Sequence, residues 1–272
     1  MKPVFEILPD NINAGNCDLV CEVSNEGFSY LVRDLETNTF IALAVYHFTN
    51  IIPGNHFPIF QKIFEDTSLL SENFMNVNII YSFPESVLVP FSMYNSKNNA
   101  EVLNMIHGDF TENDVIVTDV LLDHKVYNCY RMPSEIIRET ANRFPRGKGL
   151  HQYSLLMKKV SADGSKLSVI FYSHKIVVTL SKEGKVLLIN SFSYKAAEDV
   201  SYILLNVCRQ FEIESIPLEV SGLIEKDSSL FKEIYKYFDP VTFTPLPAEI
   251  NFSEEINQYP PHYFSHFFGF DS

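Results

Sequence analysis

The residues able to do chemistry stand in small groups along the 272-residue chain. Arg146-Gly147-Lys148-Gly149 sets two cations and two glycines ahead of a helix-like stretch, and free amides there would cradle an anion. The Gly-x4-Gly-Lys-Ser/Thr frame of a Walker loop is missing, and a flexible connector is the plainer reading. Asp119, Asp123 and His124 offer carboxylates and an imidazole for metal binding or acid–base work. A polar hairpin turn accounts for Asp123 and His124 equally well. His262 and His266, four apart, would share a metal on a helix. Pro260-Pro261 precedes them and no third ligand is evident, so tail packing or solvent exposure explains them more simply. Lys175, beside His174 in a turn, would pair with an anion, although an exposed hairpin turn requires no such role. No Ser-His-Asp or Cys-His signature and no CxxC occurs. Cys17, Cys21, Cys129 and Cys208 are scattered and are expected to be reduced cytosolic thiols.

The bulk composition excludes more than it assigns. Hydrophobic residues make up 46%, enough for one or more packed cores. The net charge of −13 repels phosphate backbones and anionic lipid, so neither a nucleic-acid partner nor a membrane is expected. The start, Met-Lys-Pro-Val-Phe-Glu, lacks the apolar core of a secretory signal, and no run approaches ~18 apolar residues. A cytoplasmic location is the expectation. The 23 phenylalanines chiefly fill cores, but the tail 251–272 gathers Phe252, Tyr259, Tyr263, Phe264, Phe267, Phe268 and Phe270. Left exposed, that set would form an apolar patch fit for a protein partner; packing back on its own body is the alternative.

The elements that must position these residues are written twice. Leu19–Val23, Phe28–Arg33 and Phe40–Tyr46 read as a three-strand meander with polar turns at 24–27 and 34–39. Pro53-Gly54-Asn55 breaks the chain, a helix follows over Phe57–Phe64, and then a strand over Val77–Phe83. The order recurs in Leu167–Phe171, Ile176–Leu180, Lys185–Asn190, a helix over Ala196–Phe211, and the strand Leu218–Val220. Between the copies lie a short helix with Val102, Leu103 and Ile106, and a hairpin from Asp114–Leu122 and Val126–Met132. Pro133 opens a further helix with Ile136, Ile137 and Ala141 inward. Pro145–Gly149 is the expected boundary between halves 1–145 and 146–272, and Leu150–Val160 reads as a helix. Asp163-Gly164-Ser165 and Lys182-Glu183-Gly184-Lys185 read as turns. Leu230–Phe238 and Val241–Thr244 complete the pattern as helix and strand.

The doubled strand-strand-strand-helix-strand-helix-strand order resembles the actin-like ATPase fold, which implies an α/β chain of two RNase-H-like halves. The chain as a whole is similar to an uncharacterised bacterial family, found mainly in Bacteroidota and assigned that fold. The stretches that carry the likeness are Phe28–Val32, Asn78–Tyr81, Leu188–Tyr194 and Leu218–Gly222. The resemblance implies a nucleotide in the cleft between halves, with ATP and Mg as cofactors. It would place Ser24, Asn25 and Gly27 of the first turn, Ser173, His174 and Lys175 of the second, and Ser221 and Gly222 of the adenosine-side turn around that nucleotide.

The departures from the family pattern weigh against turnover. Active members carry Asp-x-Gly-Thr/Ser at the first turn, whereas this chain reads Glu22-Val23-Ser24-Asn25-Glu26-Gly27. The second turn, Phe171-Tyr172-Ser173-His174-Lys175, has neither Gly nor Asp. The expectation is a non-catalytic binding or scaffold protein with degenerate phosphate loops, no required cofactor and no metal site. The alternative is a nucleotide-binding ATPase or phosphotransferase acting in the interlobe cleft. Ligand, partner and oligomeric state are left open by the sequence.

Overall fold

The computed structural model describes residues 2–48, 57–109, 113–161, 164–268 and 270. The break expected at Pro53-Gly54-Asn55, and Asp163 of the 163–165 turn, lie outside them. Two compact units emerge. The first comprises Met1–Leu155 with Glu249–Gln258, and the second Leu156–Ala248 with Tyr259–Ser272.

In the first unit, β1 (Phe5–Ile7), β2 (Cys17–Ser24), β3 (Gly27–Asp34) and β4 (Thr39–His47) precede α1 (Phe57–Asp66) and β5 (Asn76–Ser82). Short turns join β2, β3 and β4, so these strands pair antiparallel. The connection through α1 lets β5 return parallel to β2. Phe60, Ile63 and Phe64 recur at helical spacing on α1 and are buried against Phe28, Tyr30 and Phe144. The Phe60 and Phe64 rings meet edge-on at 4.6 Å. Each such buried ring contributes about 1.5–3 kcal/mol.

An insertion follows β5. It holds β6 (Ser86–Pro90), α2 (Asn99–His107), β7 (Asp114–Leu121) and β8 (Val126–Pro133), forming an antiparallel sheet in the order β6-β8-β7. Arg131 on β8 is buried, ion-paired to Glu85, and donates to the carbonyls of His107 and Gly108. It thereby satisfies the open C-terminal end of α2.

α3 (Ser134–Arg143) then leads to β9 (Lys148–His151) and α4 (Gln152–Lys158). On α3 Ile136 and Thr140 are buried and Ile137 is half-buried against the same core, whereas Ala141 is exposed, contrary to the apolar spacing. Thr140 is tolerated inside because its hydroxyl bonds the Ile136 carbonyl at 2.9 Å and meets the Tyr81 hydroxyl at 3.1 Å.

The second unit repeats the main sheet. β10 (Lys166–Phe171), β11 (Lys175–Lys182) and β12 (Lys185–Ser193) form the meander, α5 (Ala197–Gln210) crosses over, and β13 (Leu218–Gly222), α6 (Ser229–Ile234) and β14 (Val241–Phe243) follow. Glu183 and Gly184 both take positive φ in the two-residue β11–β12 turn, the backbone a tight hairpin needs. The order β12-β11-β10-β13-β14 matches β4-β3-β2-β5-β9 strand for strand, with the first three antiparallel and the last two parallel. Val200, Leu204, Val207 and Cys208 of α5 pack on this sheet as its apolar stripe dictates.

The aromatic tail is built into the units. Asn251–Phe252 adds a short parallel strand to β4, and Ile256 is fully buried in the first unit. Phe264 and Phe267 are buried in the second. Most of the tail's apolar surface is thus spent inside the chain rather than left as one open patch.

Candidate functional site

The parallel strands of each unit end beside the turns singled out by the resemblance. In the first unit β2 and β5 run in register to Ser24 opposite Ser82, and β5 and β9 to Tyr81 opposite His151. Ser24 closes the β2–β3 turn on itself. Its hydroxyl oxygen accepts the amides of Glu26 and Gly27, both at 3.1 Å. Asn25 is exposed at the tip. Gly27 answers a packing demand, since a Cβ there would lie 2.3 Å from the Tyr46 carbonyl oxygen of the neighbouring strand.

Beneath this turn Glu22 is buried, accepting from the Ser82 hydroxyl and, at 3.4 Å, from the Gln152 amide. A second, longer polar chain runs from β6 to α4. Ser86 on β6 donates to Asn128, whose amide donates to Ser154 at 2.9 Å. The Ser154 hydroxyl donates to Asp119 Oδ2 at 2.6 Å, and that oxygen also accepts the His151 amide at 2.8 Å. Tyr130 donates to Asp119 Oδ1 at 3.3 Å. Burial, reinforced by the Asp119 charge, pushes the Tyr130 phenol up from its ordinary value. His151 is fully buried; its Nδ1 accepts the Tyr153 amide, so Nε2–H donates to the Phe83 carbonyl at 2.8 Å. This chain of bonds fastens the inserted sheet to the start of α4.

In the second unit, Ser173 and His174 are exposed in the β10–β11 turn, whereas Lys175 is buried at 7% exposure, its ammonium 5.0 Å from the centre of the Tyr172 ring. That turn is also closed by backbone bonds, with the Tyr172 amide on the Lys175 carbonyl at 2.9 Å. Ser221 is buried and Gly222 has φ +77°, where a Cβ would meet the Phe171 carbonyl oxygen at 2.2 Å. The loop after Gly222 is braced from the tail: His262 Nε2–H donates to the Ile224 carbonyl at 2.7 Å and Tyr263 to Glu225 at 2.7 Å. Burial holds His262 below the ordinary histidine range.

Ser24, Asn25 and Gly27 therefore gather in the first unit, and Ser173, His174, Lys175, Ser221 and Gly222 in the second. Asp119 is in the polar chain, while Asp123 and His124 occupy the hairpin turn. Lys148 and Gly149 form neither a connector nor a helix-end anion cradle. They are the first residues of β9, and a Cβ on Gly149 would press on the Tyr81 ring at 2.5 Å. His262 and His266 lie in two separate 3-10 turns, not on one helix. Among the described residues no group of three or more His, Cys, Asp or Glu is placed to hold a metal.

The match to a family model covers residues 9–241 and carries the description "Protein of unknown function (DUF3822)". The chain belongs to this DUF3822 family. No functionally curated protein matches it. Among solved structures it is similar to a Bacteroides thetaiotaomicron protein with actin-like ATPase fold and unknown function, at TM-score 0.74 and 18% identity, over 87% of this chain and 94% of that one. It is also similar to the PilM–PilN type IV pilus biogenesis complex, at TM-score 0.60 and 10% identity, over 93% and 96% of the two chains. The DUF3822 chain thus has the actin-like ATPase fold that its doubled strand order resembles.

The polar chain from Ser86 to Asp119 and His151 is absent from the sequence reading. Its signal was present: Asp119 interrupts a β-branched run, and His151-Gln152-Tyr153-Ser154 is polar where a strand gives way to a helix. Polar residues in such places are inside only when paired.

Proposed function

We propose that this protein is a binding or scaffold member of the actin-like fold that does not turn over ATP. The observation that carries the reading is the closed first turn. A phosphate cradle needs amides pointing at the anion, and two of this turn's amides are held by the Ser24 hydroxyl. Glu26 adds a carboxylate at the same tip, and Gly27 and Gly222 answer close backbone approaches. These residues do not fit a phosphate cradle. A protein partner suits a scaffold, as PilM is paired with PilN in its pilus complex. A cytoplasmic location accords with this reading. Among the described residues no helix is long and apolar enough to cross a membrane.

Calorimetric titration with Mg-ATP and Mg-ADP, followed by a phosphate-release assay, tests the proposal. The expected result is no saturable heat and no release from a folded sample. Binding tighter than about 1 mM, roughly −4 kcal/mol, together with turnover would overturn it in favour of an ATPase or phosphotransferase.

A further inference from the structure

The repeated sheet allows one edge to be compared with its counterpart. The outer edge of β4 is covered over Thr39–Phe40 and Leu43–Val45. β1 pairs with it antiparallel from Phe5 opposite Val45 to Ile7 opposite Leu43. Asn251–Phe252 pairs with Thr39–Phe40, and the Ser253 amide reaches the Phe40 carbonyl at 2.9 Å. β12 is the equivalent strand of the second unit. It ends its sheet, and among the described residues no strand pairs with its outer side.

The bonding pattern identifies the groups that face outward. The Tyr194 amide bonds the His174 carbonyl at 2.9 Å, which makes these two a bonded pair across β11 and β12. Antiparallel alternation then directs Phe192, Asn190 and Leu188 toward β11. The N–H and C=O groups of Ile189, Ser191 and Ser193 point away from it. The Ser191 N–H is held meanwhile by its neighbour, Asn190 Oδ1, at 2.9 Å. Leu187 is an extra residue in a bulge, and Lys185, beyond it, carries the strand's one charge. Leu188–Ser193 is uncharged.

We propose that β12 is a self-association edge that takes β12 of a second copy of this chain, antiparallel, with Ser191 opposite its own counterpart. In that register Ile189 faces Ser193, Asn190 faces Phe192, and no like charges oppose each other. Every outward group of Ile189, Ser191 and Ser193 enters a bonded pair, giving about six hydrogen bonds between chains. A second copy is the favoured occupant because the strand is uncharged and self-complementary, while the chain's own extended arms are engaged on β4. Asn190 guards the edge in the free chain, and its bond to Ser191 is exchanged for a backbone carbonyl on pairing. The proposal does not depend on whether nucleotide binds.

Sedimentation velocity of the full chain over a broad concentration range tests it. The wild type is expected to form a dimer that strengthens with added salt, since each copy carries −13. Asn190→Ala removes the competing bond and should tighten the dimer about tenfold. Ser191→Pro deletes an N–H that points away from β11, so it should leave the sheet intact and the protein monomeric. Ser191→Lys, which sets two ammonium groups face to face across the two-fold axis, should also dissociate the dimer if the proline variant does not fold. A wild type that stays monomeric throughout overturns the proposal, as does a dimer undiminished in either folded Ser191 variant.

Discussion

Asp119 is a carboxylate that looks catalytic in isolation and is structural in place. Its two oxygens accept from Tyr130, Ser154 and the His151 amide, and the residue is 8% exposed. Buried acceptors of this kind are costly to remove because the donors left behind lose water and partner together. Asp119→Ala is expected to lower the unfolding free energy by about 3 kcal/mol, read from urea denaturation. An unchanged midpoint would contradict the fastening role. The cysteines tell a similar story of burial over reactivity: all four are free and buried, and burial pushes each thiol up.

Among the elements, the loop after β13 is held by the tail of the chain. His262 supplies its brace as a neutral imidazole, with the ring 4.2 Å from that of Phe243. Because burial lowers its proton affinity below the ordinary value near 6.5, the unfolded chain takes up the proton first as pH falls. The stabilisation from this group is fully present above that value and drains away toward the lower folded one. Urea midpoints at about pH 7.5 and about pH 5 should therefore diverge for the wild type. The divergence should shrink in His262→Gln. An equal divergence in both proteins would exclude His262 as a source.

For the whole molecule, the tail completes two units at once. Ending the chain after Ala248 removes the strand on Thr39–Phe40 and the Phe252 ring, 5.9 Å from that of Phe40, along with buried Ile256. It also strips Phe264 and Phe267 from the second unit. Four or so lost apolar side chains correspond to a fall in melting temperature of at least about 10 °C by calorimetry. Exposed strand edge and core should also make the shortened protein aggregate. A melting temperature unmoved by the truncation would mean that the tail contributes no stability.

The sequence by itself determined the repeated meander-helix-strand order, because alternation, short polar turns and one long apolar helix stripe are local signals. The Gly184 turn and the Pro133 helix start were legible for the same reason, whereas the close approach of the Tyr46 carbonyl that requires Gly27 was not. Only the tertiary structure decided that Lys148–His151 is a strand, since a four-residue edge strand paired to β5 draws its stability from that neighbour and not from its own pattern. The Thr140-for-Ala141 exchange on α3 likewise rests on one hydroxyl contact from another strand. Bonds join Glu22 to Ser82 and Gln152, and Asp119 to Ser154, across long separations, and no spacing rule relates such residues. Whether an amide is open to a ligand or already taken, as in the turn closed by Ser24, is a matter of geometry within ångströms, which residue order does not encode.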